Sequence, residues 1–259
     1  MSRLRARCPD CRTLTAVAVG EGYQCHSCGR EFGAGLVRVP RAWGSGGEAM
    51  VEAARLDLPY PEAAVVEEDT LELQTLAIAA DLPDRPLVLG GDCTSHVGAV
   101  EGLASRHDRL AVVWFDAHGD LNTPETSPSG NEWGMPLRML IDSKTVRAED
   151  VALVGARSLD PPEEEFIAAA GVRTGEDGIA DALEGADAVY VALDVDVLDP
   201  EGDVAMFMPE ARGPSPDELE ATLREIAVAK TVVGAGLTGV APDPANTERL
   251  TRFLYALGL

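Results

Sequence analysis

Two short apolar runs, each ending abruptly in acids, constrain the fold of this chain more than any other feature. The first, Leu110 to Phe115, is rich in β-branched and aromatic residues and stops at Asp116, with His118 and Asp120 following at two-residue spacing. That pattern fits a buried parallel strand delivering ligand-type side chains at its carboxyl end. In an extended chain, residues two apart share a face, so these three side chains are expected to point the same way. The second run, Val189 to Leu193, passes straight into Asp194, Asp196 and Asp199 before Pro200. Either cluster alone could be a satisfied polar group at a strand end. Together they bring four or more carboxylates and one imidazole toward one place, and burying such acids without a counter-charge is costly. Oxygen donors with one nitrogen describe a hard-to-borderline divalent cation, closer to manganese than to zinc.

The surrounding chain alternates strand and helix. Pro86 to Leu89 reads as a strand that feeds Gly90, Gly91, Asp92 and Cys93, then a helix to about Arg106. Later units repeat the theme: strand Val151 to Gly155, helix Pro162 to Ala170, strand Val189 to Leu193, helix Ser215 to Val228, strand Thr231 to Leu237 and helix Thr247 to Leu257. Such alternation predicts a three-layer αβα fold with a mainly parallel sheet, its site built by loops at the carboxyl ends of the strands. Upstream, Glu48 to Leu56 and Glu67 to Asp81 have helical apolar spacing, the run between them carries Pro59 and Pro61 and reads as loop, and the glycines of Gly33 to Gly47 suggest a linker or an irregular entry. With 259 residues and 46% hydrophobic content, the chain can bury one sizeable core plus a small appendage. A net charge of -23 disfavours nucleic acid and anionic membrane as partners of the main body. No apolar run approaches a membrane span, and the first residues lack the apolar middle of a signal peptide, so a cytoplasmic location is expected.

Four of the five cysteines fall in the first thirty residues, as Cys8-Pro-Asp-Cys11 and Cys25-His-Ser-Cys28. Two CxxC knuckles flanking a β-like segment, Leu14 to Val19, suggest a zinc ribbon over residues 1–34, because each turn brings two thiolates within reach of one tetrahedral ion. A pair of redox dithiols is the competing reading; two matched pairs fit a closed four-thiolate site better. His26 reads as a spacer inside its knuckle. The segment is locally basic, with Arg3, Arg5, Arg7, Arg12 and Arg30 against Asp10, Glu21 and Glu31. That charge could meet a protein partner or the chain's own acidic body, or simply be solvated.

GGDCTS at Gly90 to Ser95, DAHGD at Asp116 to Asp120 and LDVDVLDP at Leu193 to Pro200 resemble, in order, the signature motifs of the arginase/agmatinase ureohydrolase family. The resemblance covers residues 36–259, which are expected to form one arginase-like metallohydrolase domain, and Asp116 to Gly134 is similar to the arginase branch in particular. It implies a dinuclear manganese centre that activates hydroxide against a guanidinium carbon, and an assembly of trimers or hexamers. Carried over residue by residue, it implies Asp116, His118, Asp120, Asp194 and Asp196 as metal ligands, with Asp116 and Asp194 bridging. Asp120 and Asp196 are the expected catalytic proton acceptors. Asn122, Ser127, Ser129 and Asn131 match positions that grip the α-carboxylate and α-amino group of an amino acid, and Asp160 matches the acid that holds the α-ammonium. From their composition alone, these Ser and Asn residues would simply make turns.

The sequence departs from the family pattern at three positions. Cys93 stands where the family has a ligand His; a thiol must ionise before it binds, so this change bears on whether one or two manganese ions are held. His96, one helical turn on, could compensate, and a buried apolar thiol is the plainer reading of Cys93. Trp133 replaces a proton-transferring His, and an indole can stack on a flat cation but cannot shuttle a proton. Ala241 replaces a Glu that pairs with the guanidinium, for which Glu132, Glu210 and Asp243 are candidate substitutes. The expected activity is metal-dependent hydrolysis of a C–N bond in a guanidino or amidine substrate, including an N-substituted one, with an amino-acid end. The alternative is a weakened or inactive arginase-like binding or scaffold protein.

Overall fold

The computed structural model describes residues 5–6, 8, 11, 13, 15–19, 22–80 and 82–259. Arg3, Arg7, Asp10, Arg12, Leu14, Glu21 and Asp81, on which some of the expectations above fall, lie outside the described residues. Around the cysteines, β1 (Arg5–Ala6), β2 (Ala16–Val19), β3 (Gly22–Cys25) and β4 (Glu31–Phe32) form a four-stranded antiparallel sheet. One residue later the chain enters the main sheet.

That sheet contains β5 (Ala34–Val39), β6 (Glu62–Val65), β7 (Arg85–Gly90), β8 (Leu110–Phe115), β9 (Val151–Val154), β10 (Arg173–Thr174), β11 (Ala188–Asp194) and β12 (Val232–Thr238). Its order is β10-β9-β8-β11-β12-β7-β5-β6, and every pairing within it is parallel. Every residue of the central strands β8 and β11 is buried, as expected where helices cover both faces. Alternate residues feed two separate cores. Ala111, Val113, Phe115, Val189, Val191 and Leu193 pack with α6 (Asp177–Leu183), α7 (Pro216–Ala229) and α8 (Asn246–Ala256). Val112, Trp114, Ala188, Tyr190 and Ala192 pack on the other face with α2 (Leu71–Ala80), α3 (Ser95–Ala104) and α4 (Pro136–Asp142). Between α4 and α6, α5 (Pro161–Ala170) starts on the proline-rich turn after Asp160, and the short α1 (Glu48–Val51) follows β5. This is the three-layer arrangement the alternation predicts.

Several boundaries differ from the sequence reading. Gly33 to Gly47 is not a linker throughout: Ala34–Val39 is β5, an interior strand, and Gly35 suits it because a Cβ there would press on Pro83 and Ala63. The loop with Pro59 and Pro61 contains β6, paired in parallel with β5. The helix expected to Leu56 ends at Val51 and tightens into a 3-10 turn, Glu52–Arg55. Helix α2 begins at Leu71, and neither α4 nor α6 was expected.

The chain turns back between β7 and β8, which are separated in the sheet by β12 and β11. In such sheets the crevice lies outside the carboxyl ends of the strands where the order reverses. Those ends carry Cys93, Asp116, Asp194 and Thr238.

Candidate active site

Three neighbouring strands end in register: Leu193 pairs with Phe115, and Asp194 pairs with Thr238. Asp116 and Asp194 are therefore set side by side by the sheet itself. Beyond them the chain is not extended, contrary to the alternation reading. His118 N donates to Asp116 Oδ1 at 2.7 Å, an Asx-type turn, and Asp120 adopts a left-handed conformation with φ 53°. Asp196 lies in a 3-10 turn, Val195–Val197, with its N donating to Asp194 Oδ1 at 3.0 Å. The side chains converge through these turns. Gly239, at φ 67°, completes the crowding, since a Cβ there would overlap the Asp194 carboxylate.

The result is two overlapping sets of ligand-type atoms. Cys93, Asp116 and Asp120 form one and Asp116, His118 and Asp196 the other, the atoms of each lying within 4.8 Å of one another. His118 Nδ1 lies 3.0 Å from Asp196 Oδ2 and 3.4 Å from Asp116 Oδ1. Cys93 Sγ donates to Asp194 Oδ2 at 3.0 Å. Asp116, Asp120, Asp194 and Asp196 are all at most 4% exposed.

Electrostatics follow from that crowding. Burial, reinforced by the Asp196 charge, pushes Asp194 up to about 7, and burial with the Asp116 charge pushes Asp196 up to about 6. Asp116 is raised by burial and by Asp194; Asp120 is raised well above the usual carboxylate range by burial, Asp116 and Asp194. Burial works against a charged His118, but the hydrogen bonds and charges of Asp116 and Asp196 outweigh it and push its pKa up to about 12. The Cys93 thiol is held well above its normal range by burial and the surrounding acids, which suits its role as a donor to Asp194. Asp120 Oδ2 is buried without a hydrogen-bond partner among the described residues. Four buried acids, one with an orphaned oxygen, against a single imidazolium form a donor set short of positive charge. A hard divalent cation fits that deficit.

Above the acids lies a cavity of about 280 Å³. Asn122, Ser127, Ser129, Asn131, Trp133 and Asp160, the residues expected to meet substrate, all line it. Asn122 Nδ2 donates to Asp160 Oδ2 at 2.8 Å, and Ser127 Oγ and Ser129 Oγ accept from the backbone of Gly130 and Asn131, so the loop is partly held by its own polar groups. Asn131 Oδ1 accepts from Ser45 N at 2.9 Å, and a Cβ at Gly44 would overlap Trp133 and Asn131. The loop after β5 thereby packs directly against the indole.

His96 does not replace the missing ligand. It is fully buried, with Nδ1 3.0 Å from Tyr190 Oη and Nε2 3.3 Å from Thr238 Oγ1, and burial pushes its pKa down to about 3. Ala241 is not on the cavity wall; its N donates to Ala205 O. None of the substitute acids Glu132, Glu210 and Asp243 is on the wall; Glu210 Oε1 lies 3.9 Å from His118 Nε2, and Asp243 Oδ1 accepts from Ala245 N in an exposed turn. Asp199 also stays outside, accepting from Glu201 N and Arg212 N. Three further residues hold the site together. Thr238 Oγ1 donates to Asp194 Oδ2 at 3.0 Å and ends an apolar run as Asp116 and Asp194 do, so the same signal marked it. Trp114 Nε1 donates to Asp116 Oδ2 at 3.3 Å. Glu163 lines the cavity and accepts from Leu121 N and Asp160 N, each at 2.9 Å; the spacing Asp160 to Glu163 at a helix start was its signal.

The profile of the arginase family matches residues 49–257. The chain belongs to the arginase family. It is 36% identical over 183 residues to an arginase of Bacillus caldovelox, covering 61% of each chain. To an arginase of Staphylococcus aureus (strain COL) it is 40% identical over 140 residues, 44% of this chain and 46% of that one. The match thus spans less than two thirds of the length of either relative. Among solved structures, an arginase from Bacillus subtilis superposes with a TM-score of 0.76 at 26% identity, covering 86% of this chain and 97% of that one. A formimidoylglutamase from Bacillus subtilis, at 19% identity and a TM-score of 0.69, shares the fold.

Proposed function

We propose that this arginase-family chain is a hydrolase that cleaves a C–N bond of a guanidino or amidine compound with an amino-acid end, using a manganese-type divalent cation. The observation that carries this reading is the set of buried acids on two adjacent strand ends, beneath a cavity lined by short polar side chains. Asp116, His118, Asp120, Asp194 and Asp196 would hold the cation, with Cys93 at the edge of the set. A bound divalent cation supplies Lewis acidity, which acidifies water and keeps the neighbouring carboxyls ionised.

The chain's own groups account for the rest. Asn122, Ser127, Ser129, Asn131 and Asp160 orient the amino-acid end, directly or through water. Trp133 offers a flat face to a planar cation in place of a charged partner. Asp120 Oδ2, which has no other partner among the described residues, takes the proton that water loses as its oxygen joins the guanidino or amidine carbon. As the C–N bond breaks, the same carboxyl returns that proton to the departing nitrogen. With Ala241 where a carboxylate is expected, and away from the cavity wall, that position supplies no bidentate charged hydrogen bond of the kind worth about 1.5–3 kcal/mol. That favours a less basic or N-substituted substrate over free arginine.

The test is amine or urea release on a panel of guanidino and amidine acids, with manganese measured on the same samples. Asp116→Asn and Asp194→Asn are expected to lower turnover by more than about 100-fold and to release the metal. Undiminished activity in both variants would refute the mechanism. One observation favours a second reading, a ligand-binding protein without turnover: the thiol at Cys93 is tied to Asp194 instead of presenting a histidine nitrogen. Manganese-loaded protein inert across the whole panel would select it. Assembly into trimers or hexamers belongs to the same proposal and is read by light scattering; a monomer would remove it.

A further inference from the structure

Among its described residues, the four-stranded sheet ahead of β5 has only a small core. Its buried apolar cluster consists of Cys8, Ala16, Cys25 and Phe32, with Cys11 and Tyr23 packed partly against it. Units of this size commonly depend on a metal or cross-links. The four sulfurs of Cys8, Cys11, Cys25 and Cys28 lie within 4.8 Å of one another. Cys8 Sγ is 3.5 Å from Cys28 Sγ, and Cys11 Sγ is 3.5 Å from Cys25 Sγ. A tetrahedral ion with bonds of about 2.3 Å requires edges of about 3.8 Å. Two nearby hydroxyls face the sulfurs, Thr13 Oγ1 at 3.1 Å from Cys11 Sγ and Thr15 Oγ1 at 3.4 Å from Cys25 Sγ, an outer layer of the kind that steadies thiolate ligands.

The second knuckle leads directly to contacts with the main body. Cys25 N donates to Arg30 O at 2.7 Å, and Gly29, at φ 80°, makes the turn between them. Arg30 then leaves the ribbon: its Nη2 donates to Leu259 O at 3.0 Å, and its guanidinium lies 4.4 Å from the centre of the Tyr255 ring. Phe32 meets Tyr60 edge-on, and Tyr60 Oη donates to the same Leu259 O at 3.1 Å.

We infer that Cys8, Cys11, Cys25 and Cys28 bind one structural zinc ion, which orders the second knuckle so that Arg30 and Phe32 brace the segment from Tyr255 to Leu259 against β5. The ion contributes no chemistry to the cavity. Its role is to fix the two knuckles of a small unit, and that unit in turn restrains the end of α8.

The test uses the full chain expressed with both zinc and manganese. Elemental analysis is expected to find about one zinc per chain, and exchange of that zinc for cobalt is expected to give the absorption of a tetrahedral thiolate complex. Cys28→Ser changes an exposed side chain and is expected to lose the zinc while keeping its manganese. Hydrogen exchange of residues 254–259 is expected to accelerate at least about tenfold when zinc is stripped from the wild-type chain, and also in Arg30→Ala with zinc still bound. Full-length protein without zinc, its thiols either reduced or paired as disulfides, overturns the site. Zinc removal that leaves exchange at 254–259 unchanged overturns the brace. Because manganese and turnover are read separately, either failure is distinguishable from failure of the hydrolase reading.

Discussion

At the scale of single residues, the site is governed by how its carboxylates are held. Thr238 Oγ1 is a hydrogen-bond donor to Asp194 from the neighbouring strand, and Thr238→Val would remove one of the two donors to that buried oxygen, leaving Cys93 Sγ. The expected cost is about 1–3 kcal/mol in urea unfolding. A 10- to 100-fold loss of manganese affinity is expected by titration. Cys93→His puts a neutral nitrogen donor where a protonated thiol now sits, and is expected to raise bound manganese by about one ion per chain. Unchanged metal content would show that the thiol does not limit loading. The raised acids also fix a pH dependence for metal-free protein. Asp194 and Asp196 titrate near 7 and 6 when folded, against about 3.9 for an unfolded Asp. Between about pH 4 and pH 7 the folded chain therefore holds protons that the unfolded chain has released, and stability falls as pH rises through that window. His118, held up at about 12, extends the same slope above pH 6.5, because the folded imidazole keeps a proton the unfolded one loses. Chelator-treated protein is expected to unfold at lower urea at about pH 7.5 than at about pH 5, and the gap to manganese-loaded protein is expected to widen with pH.

Among elements, legibility followed the burial of each strand. β8 and β11 were evident from sequence because a strand covered on both faces is a continuous apolar run, and the acids ending those runs stand out. β5 is equally interior, yet Gly33, Gly35 and Arg38 disguise it. Arg38 sits within the strand and spends its guanidinium on Ala54 O, Leu56 O and Glu62, contacts that only the folded chain supplies. Asp116, His118, Asp120, Asp194 and Asp196 converge, but spacing alone does not show the route, since extended alternation gives way to an Asx-type turn at Asp116 and a 3-10 turn at Val195. Glu163 was hidden for a related reason: its partners, Leu121 N and Asp160 N, join the start of α5 to the loop after β8. Glu163→Ala strands both donors, and the expected fall in melting temperature is about 2–4 °C for each kcal/mol lost. An unchanged melting temperature would show that α5 does not anchor that loop.

For the molecule as a whole, the excess of acids sets the response to salt. A net charge of -23 on 259 residues repels itself in the compact state. Raising ionic strength from about 0.01 to 0.15 M shortens the screening length from about 30 to 8 Å, and calorimetry is expected to show a higher melting temperature. No helix among the described residues is long and apolar enough to cross a membrane. The way the acid cluster is shared among strands has a consequence for folding. Asp116 and Asp194 belong to adjacent strands, but Thr238, which steadies Asp194, comes from β12, the last strand in chain order among the described residues, and β12 must slot between β11 and β7. Sliding any of these strands by one residue would turn its terminal side chain to the opposite face. The acid cluster therefore takes its final shape only once β12 has found its alignment between β11 and β7, so it reports on the register of strands far apart in the chain.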